Sequence, residues 1–516
     1  MKRNFSLLLL LISVFAFSQM EEKKLDELIQ NTIKTFDVPG MSVGIVKDGK
    51  LIYAKGFGVR SLSNGQKMDE NTLVGIASNS KSFTTTALAM LADEGKLSFD
   101  DKVTKYIPEF QMYDPYVSQE VTIKDLITHR AGLGLGQGDL MFFPEGGNLS
   151  VNDIIHNVRY LKPENPFRTT LDYNNIMFIV AGEVIHRISG KTWSQFIEER
   201  ILKPVGMTSS FGSYKNAKAA NSLNIIDAHA PVNGKAVAVP HDWNETANAA
   251  GGIMSNISDM TTWAQFLMNG FTTKDGKKLV SDKQIQQLWN LQISTPVALK
   301  NSYDSNFAGY GLGWFLTDVK GHKQVYHTGG LIGTVTQFTV IPDMKLAIVV
   351  LTNQQSGAAF SAVTNTVKDS YLGYPDRNWL KNYADRTAKM NADFDNAKKE
   401  IFAKSETFKK DKIAQIKPEQ IAGIYKDIWF GEVVISKEGN TFRIVCKNSP
   451  RLKGELLPYS SNIMIAKWDE RSYDADVFVN FNFDENGKAQ SVKMKPISDI
   501  TDFSFDFEDL DLKRVN

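Results

Sequence analysis

The chain has 516 residues, of which 42% are hydrophobic and 23% are charged, and its formal net charge is +1. This length predicts two domains, and the composition is typical of a globular protein. The near-neutral charge and the lack of a basic stripe with interleaved aromatic residues argue against nucleic acid as a partner. The seven histidines show no metal-ligand spacing, so we expect neither a metal nor another cofactor.

The N-terminus has the pattern of a secretory signal peptide. Two basic residues precede an unbroken apolar run over residues 7–17, and small residues precede a predicted cleavage after Ser18. The run is short for a membrane span, so no integral membrane segment is expected once residues 1–18 are removed. The only cysteine, Cys446, is expected in the core, and a single cysteine excludes a disulfide. We therefore expect a periplasmic or extracellular location.

The first part of the chain predicts an antiparallel sheet packed by helices. An amphipathic helix is predicted over residues 24–36, and two alternating strands then meet at Asp48-Gly49, a strong hairpin signal. A second hairpin is predicted near the turn at Pro342, with helical patterns between the two hairpins. The predicted fold class is therefore α/β in the α+β sense, with a mostly helical subdomain beside the sheet.

The domain organisation follows from shifts in composition. We predict a signal peptide over residues 1–18, a hydrolase domain over 19–375, a charged helical linker over 376–412 and an all-β, barrel-like domain over 413–516. A glycine-rich stretch at residues 130–147 is typical of a loop that lines another part of the fold.

Ser78 and Lys81 are the first candidate functional residues along the chain. They form the only Ser-x-x-Lys in the chain, at the start of an apolar helix. Residues three apart share one helical face, so the two side chains can meet. A cation in the first turn of a helix is unfavourable, and a residue that breaks a local rule is a candidate for function. Alone, the motif is also compatible with a surface lysine.

Two later stretches supply possible partners. Tyr173 and Asn175 stand just ahead of an apolar helix, although Tyr173 could anchor the helix start and Asn175 could be only its N-cap. A rival Tyr-x-Asn at Tyr214 lies in a polar stretch without an apolar helix after it, and we discount it. The second of these stretches leads into a predicted sheet strand and comprises His327, Thr328, Gly329 and Gly330. Glycine there would allow close contact with a substrate backbone.

The order Ser-x-x-Lys, Tyr-x-Asn, His-Thr-Gly resembles the class C β-lactamase-related serine hydrolases, which include penicillin-binding DD-peptidases, D-aminopeptidases and esterases. The resemblance covers residues 24–370 and extends to the stretches TIKDLITHRAGL, AAGGIMSNISDMTTWAQFL and YGLGWF. The C-terminal domain resembles the lipocalin-like appendage of some members, best in its ending DFSFDFEDLDLKRV. His129 falls in one of these stretches, and we expect it to be structural.

The resemblance implies a role for each residue. Ser78 would be the nucleophile, Lys81 or Tyr173 the base, and the backbone N–H groups of Ser78 and Gly330 the oxyanion hole. Proximity is expected to lower the pKa of both Lys81 and Tyr173. Two further roles concern the substrate, with the Asn175 amide binding it and His327 and Thr328 lining the acyl pocket.

One departure from the family bears on the substrate. Enzymes of this family that act on penicillins or D-Ala peptides usually carry lysine where this chain has His327, which is mostly neutral at pH 7. We therefore expect a secreted peptidase or esterase with at most weak β-lactamase activity, acting on a small amide, peptide or ester. The alternative is a catalytically silent protein that binds peptide or carbohydrate. Because no motif residue lies beyond residue 330, a chain ending near Pro375 is expected to keep its catalytic machinery.

Overall fold

The computed structural model describes residues 20–220, 222–241, 243–410, 416–439 and 441–515. The predicted signal peptide therefore lies outside the described residues. The first part of the chain is built on an eight-stranded antiparallel sheet. Its strands, in spatial order, are Lys50–Gly58, Gly40–Lys47, Leu346–Thr352, Thr334–Ile341, His322–Leu331, Phe315–Val319, Ala308–Tyr310 and Ile293–Thr295.

Both predicted hairpins are confirmed, and their turn chemistry explains them. Asp48 and Gly49 both have positive φ angles, 52° and 76°, which is the conformation of a two-residue turn whose twist matches that of its strands. The second hairpin joins strands Thr334–Ile341 and Leu346–Thr352. Its inner strand, Leu346–Thr352, pairs with Gly40–Lys47, so the first and last strands of the domain lie side by side in the middle of the sheet.

The sheet is covered by helices on both faces. Every residue of strand Leu346–Thr352 is buried, because alternate side chains enter two different cores. One core lies against helices Glu22–Thr35 and Gly357–Leu372, through residues such as Ile29 and Val363. The other lies on the opposite face against helix Ile257–Met268 and the helical subdomain.

The helical subdomain surrounds one buried helix, Lys81–Asp93, whose Phe83 stacks on Trp263 with ring centroids 4.0 Å apart. Within the described residues, the other helices that precede Gly357–Leu372 are short or amphipathic. They are Pro115–Glu120, Ile123–Ile127, Val151–Asn157, Asn175–Ser189, Trp193–Ile197, Lys203–Val205, Tyr214–Ala219, Asn248–Gly251 and Asp282–Leu288, with a π-helical turn at Glu198–Leu202.

The last part of the chain forms a separate, closed eight-stranded barrel. Its described strands are Gly423–Asp427, Gly431–Glu438, Thr441–Cys446, Lys453–Pro458, Ile463–Trp468, Val477–Phe483, Ala489–Pro496 and Leu512–Arg514. A 32-residue helix, Trp379–Lys410, runs between the sheet domain and the barrel. The Trp379 indole donates a 2.6 Å hydrogen bond to Asp369, and the Ser405 hydroxyl donates one of 2.7 Å to the Pro458 carbonyl. The helix thus contacts both parts of the molecule.

The barrel packs directly on the glycine-rich stretch 130–147. Phe143 meets Phe505 edge to face, with ring centroids 4.9 Å apart. Just beyond this stretch, the backbone N–H of Asn148 donates to the Asn448 carbonyl at 2.9 Å. The predicted loop is accordingly mostly buried, because it lies between the helical subdomain and the barrel. Among the described residues, no helix is both long enough and apolar enough to cross a membrane.

Candidate active site

Ser78 lies in a tight turn rather than in the helix itself. The turn is a 3₁₀ helix over Ala77–Ser80, and the α-helix starts at Lys81. Ala77 has a φ of 50°, a left-handed conformation that non-glycine residues adopt at a cost of about 1–2 kcal/mol. Such strain persists where the surroundings hold the backbone in place, and here it directly precedes the predicted nucleophile.

Lys81 is fully buried, and its ammonium is satisfied by three oxygen atoms. The Nζ atom lies 3.0 Å from Ser78 Oγ, 2.7 Å from Asn175 Oδ1 and 2.9 Å from the Ala250 carbonyl oxygen. These contacts explain how a cation is tolerated in the first turn of a helix. Burial lowers the pKa of Lys81 to about 7, against the opposing effect of the Asp139 carboxyl. The expected lowering of the pKa of Lys81 is therefore present, with desolvation as its main cause.

Tyr173 differs from the expectation. Its phenol is hydrogen-bonded to Ser78, and the Lys81 Nζ lies 4.9 Å from the centre of its ring. Burial nevertheless raises the pKa of Tyr173 above its usual value, and the hydrogen bond from Ser78 only partly opposes this. The prediction of a lowered pKa for Tyr173 is wrong, because a buried phenolate loses its hydration. With its lowered pKa, Lys81 can accept a proton near neutral pH, whereas Tyr173 keeps its own.

Asn175 connects Lys81 to a buried carboxyl group. Helix Asn175–Ser189 is capped by the side chain of Asn174, so Asn175 is not the N-cap. The Asn175 Oδ1 accepts from Lys81, and its Nδ2 donates to Asp139 Oδ2 at 2.7 Å. Both polar ends of the amide are thus engaged by the protein, whereas the sequence analysis expected this amide to bind substrate.

His327 is buried in strand His322–Leu331, and its two ring nitrogens have protein partners. Nδ1 lies 2.6 Å from the Thr328 carbonyl oxygen and Nε2 lies 3.0 Å from the Tyr310 hydroxyl. Because a carbonyl only accepts, Nδ1 carries the proton and Nε2 accepts from Tyr310. Burial, with a contribution from Lys81, lowers the pKa of His327 to about 3. The ring is therefore neutral at pH 7, and its centroid lies 6.0 Å from that of Tyr173.

The two glycines after Thr328 serve different purposes. A Cβ added to Gly329 would lie 2.3 Å from the Ile76 carbonyl oxygen and 2.9 Å from Ala77 Cβ, so this glycine lets the strand approach the Ser78 turn. A Cβ on Gly330 would meet nothing within 4 Å, and Gly330 is exposed while Thr328 is half-buried. The sequence analysis attributed the glycines to contact with a substrate backbone, and the structure leaves that role open only at Gly330.

Aromatic rings pack around Tyr173. The His129 ring packs against it in a tilted orientation, with ring centroids 4.3 Å apart, and its Nδ1 accepts a hydrogen bond from the Asn174 backbone N–H. Burial lowers the pKa of His129 well below its usual value, so this ring is neutral and its role is packing, as the sequence analysis expected. Elsewhere, the rival Tyr214 begins the short helix Tyr214–Ala219, and Cys446 is buried with its pKa raised to about 12 by burial.

The barrel contributes to the site, and the sequence analysis missed this. The Phe503 ring meets the Tyr173 ring edge to face at 6.1 Å, and Phe503 remains 41% exposed. The neighbouring Ser504 hydroxyl donates to Asp139 Oδ2 at 2.7 Å. Two features of the sequence pointed toward this contact. One is the glycine-rich stretch 130–147, which contains Asp139 and was predicted to line another part of the fold, and the other is the C-terminal ending DFSFDFEDLDLKRV, which contains Phe503 and Ser504. Within the described residues, no group of three or more His, Cys, Asp or Glu side chains is placed to hold a metal ion.

Comparison with known proteins agrees with this arrangement. The family described as Beta-lactamase matches residues 25–372, and a domain of unknown function (DUF3471) matches residues 408–514. An unguisins hydrolase of Aspergillus campestris is 28% identical over 396 residues, which cover 73% of this chain and 71% of the relative. Protein flp of Staphylococcus aureus is 26% identical over 341 residues, which cover 65% of this chain and 64% of the relative.

Solved structures show the same fold. The octameric penicillin-binding protein homologue from Pyrococcus abyssi has a TM-score of 0.59 and 22% identity, over 96% of this chain and 100% of that chain. A class C beta-lactamase has a TM-score of 0.54 and 22% identity, over 69% of this chain and 96% of that chain. With the family match extending over the whole sheet-and-helix domain, the chain belongs to the beta-lactamase family of serine hydrolases.

Proposed function

We propose that this chain is an exported hydrolase that cleaves an amide or ester bond through an acyl-enzyme on Ser78. The observation that carries the proposal is the contact of 3.0 Å between the Ser78 hydroxyl and the fully buried Lys81 amine. A serine hydroxyl is a weak nucleophile and needs an adjacent base. Because burial lowers the pKa of Lys81 to about 7, about half of the amine is unprotonated at neutral pH.

Acylation starts from the neutral amine. Ser78 Oγ attacks the substrate carbonyl carbon, and its proton moves to Lys81 Nζ as the new C–O bond forms. In this proposal the backbone N–H groups of Ser78 and Gly330 donate to the resulting oxyanion. In other hydrolases the loss of one such donor costs about 3 kcal/mol of transition-state stabilisation.

The leaving group needs a proton when its bond to the acyl carbon breaks. Tyr173 is suited to supply it, because burial raises the pKa of its phenol and keeps the proton on the oxygen. The proton held by Lys81 then replaces the one that Tyr173 gave up. In the second half of the reaction, water attacks the acyl ester and loses its proton to Lys81. Lys81 passes that proton to Ser78 Oγ as its bond to the acyl carbon breaks, which releases the acid product and restores the neutral amine.

The pocket favours substrates without a carboxylate next to the reacting bond. At the position where resembling enzymes hold a lysine, this chain has His327, whose pKa of about 3 makes it neutral. A neutral imidazole already engaged with Tyr310 and a backbone carbonyl offers no charge to an anion. We therefore propose peptidase or esterase action on small amides, peptides or esters, with little β-lactamase activity. The Aspergillus relatives named as unguisins hydrolases support a hydrolytic reaction.

Labelling with a fluorophosphonate probe, followed by mass spectrometry of the peptides, tests the proposal. We expect one adduct, on Ser78, which is lost in Ser78→Ala. Ser82→Ala is a matched control, because the Ser82 hydroxyl in the same region donates only to the Asn79 carbonyl. This variant should label as the wild type does. A wild-type protein that folds but is not labelled would instead support the alternative of a silent binding protein.

Export is a separate part of the proposal. It rests on the N-terminal pattern of residues 1–18, which are followed by a described domain that starts with helix Glu22–Thr35. We expect the mature protein, purified from the periplasm or the medium, to begin at Gln19. N-terminal sequencing checks this, and a cytoplasmic protein that retains Met1 would contradict it.

A further inference from the structure

A continuous series of hydrogen bonds runs from the barrel to the nucleophile. The Ser504 hydroxyl donates to Asp139 Oδ2 at 2.7 Å, and Asn175 Nδ2 donates to the same oxygen at 2.7 Å. The other end of the Asn175 amide accepts from Lys81 at 2.7 Å, and Lys81 contacts Ser78 at 3.0 Å. Ser504 of the barrel and Asp139 of the sheet-and-helix domain, 365 residues apart in sequence, therefore meet at one carboxylate oxygen.

Asp139 occupies an unusual position for a carboxyl group. It is fully buried, and its hydrogen bonds within the described part of the chain come from Asn175 and Ser504, which carry no charge. Its second oxygen, Oδ1, finds no hydrogen-bond partner among the described residues. A buried polar atom without a hydrogen-bond partner lowers the free energy of unfolding, and a neutral amide could make the same structural contacts at a smaller cost. The charge of Asp139 therefore calls for a role in the site itself.

We propose that Asp139 is a positioning residue that holds Asn175 against Lys81 and sets the protonation of the Lys81 amine, and that Ser504 of the barrel completes it. The inference rests on the proposed function, in which Lys81 is the base. If Ser504 has this role, the barrel forms part of the active site and is not only a domain attached to it.

Among the charged and titratable groups around this pair, Asp139 has the main influence on the pKa of Lys81, second only to burial itself. His129 and His327 both have lowered pKa values because they are buried, so both rings are neutral at pH 7. The pKa of Tyr173 is raised by burial, so its phenol is neutral. On the other side, Asp139 faces Asp502 and Asp506, two carboxyl groups whose pKa values burial raises.

The charge of Asp139 decides the direction in which it shifts the pKa of Lys81. An ionised Asp139 favours the ammonium form of Lys81 and so raises the pH needed to free the amine. Burial raises the pKa of Asp139 to about 7, while the Ser504 hydroxyl opposes this by stabilising the carboxylate. Removing the charge of Asp139, or the donor that stabilises it, should therefore lower the pKa of Lys81.

The test measures the rate of fluorophosphonate labelling of Ser78 between pH 5 and pH 9 in the full-length protein. Asp139→Asn keeps the shape and an oxygen that can accept both hydrogen bonds but removes the charge. We expect its rate to reach half-maximum at a pH about 0.5–1 unit below that of the wild type. Ser504→Ala should shift the midpoint in the same direction by a smaller amount. The double variant should match Asp139→Asn, because Ser504 acts only through the carboxylate.

Ser498→Ala is the matched control in the barrel, because its buried hydroxyl has no hydrogen-bond partner among the residues that the structure describes. Its midpoint should equal that of the wild type, and a shift as large as that of Ser504→Ala would overturn the role of Ser504. If Asp139→Asn does not fold, an unmoved midpoint in Ser504→Ala decides against the inference. If wild-type Ser78 labels but the midpoints of Asp139→Asn and Ser504→Ala are unchanged, the inference fails and the proposed function stands. If folded wild type does not label at all, both fail.

Discussion

Gly329→Ala is the sharpest test of how the active-site turn is held. The added Cβ would lie 2.3 Å from the Ile76 carbonyl oxygen, 2.6 Å from Thr336 Oγ1 and 2.9 Å from Ala77 Cβ. Real Cβ atoms essentially never come within 3.0 Å of such neighbours, so the Gly329 strand and the Ile76 backbone must separate by at least about 0.7 Å. That backbone leads directly into Ser78.

The expected magnitude has two parts. Overpacking in a well-packed region costs about 1–3 kcal/mol of unfolding free energy, which a urea titration measures. A displacement approaching 1 Å at a reacting atom lowers the rate about 100-fold, which the kinetics of fluorophosphonate labelling measure. We therefore expect Gly329→Ala to be less stable than the wild type and to label at Ser78 at least about 10-fold more slowly.

Gly330→Ala provides the matched comparison for stability. It adds the same methyl group one residue along the strand, where nothing lies within 4 Å, and neither glycine has a positive φ. Its unfolding free energy should equal that of the wild type. If Gly329→Ala is as stable as Gly330→Ala and labels at the wild-type rate, the strand does not press on the Ser78 turn and our account of the site geometry is refuted.

Three further outcomes are expected. Labelling of the wild type should rise with pH and be half-maximal near pH 7, the pKa to which burial lowers Lys81, and a flat profile from pH 5 to 9 would exclude Lys81 as the base. His327→Gln should leave that midpoint in place, because the pKa of His327 is about 3; a moved midpoint would assign proton transfer to the imidazole. A chain ending at Pro375 should unfold at a lower temperature and label more slowly than the full chain, since it exposes Phe143 and loses the packing of Phe503 on Tyr173; an undiminished labelling rate would show that the barrel is dispensable.

Local features of the sequence were enough to predict the sheet and the contact between Ser78 and Lys81. The Asp48-Gly49 turn requires positive φ at two successive residues, and few dipeptides other than this type accept it. The spacing of Ser78 and Lys81 brings them together on a single turn without reference to any other part of the chain. Such predictions succeed because the residues concerned are neighbours in sequence.

Interactions between distant segments were beyond the reach of the sequence. The amide of Asn175 binds Lys81 and Asp139 rather than remaining free, because three separate segments converge there. The pKa of Tyr173 rises because packing excludes water from the phenol, a property that no local pattern encodes.

The contribution of the barrel illustrates the same limit. By itself, the sequence determined that the chain carries a Ser-x-x-Lys hydrolase motif and a second, all-β domain. Only the tertiary structure decided that Phe503 and Ser504 reach the site around Tyr173 and Asp139. The physical reason is that hydrogen bonds and ring contacts act over a few ångströms in space, whatever the separation of their partners along the chain.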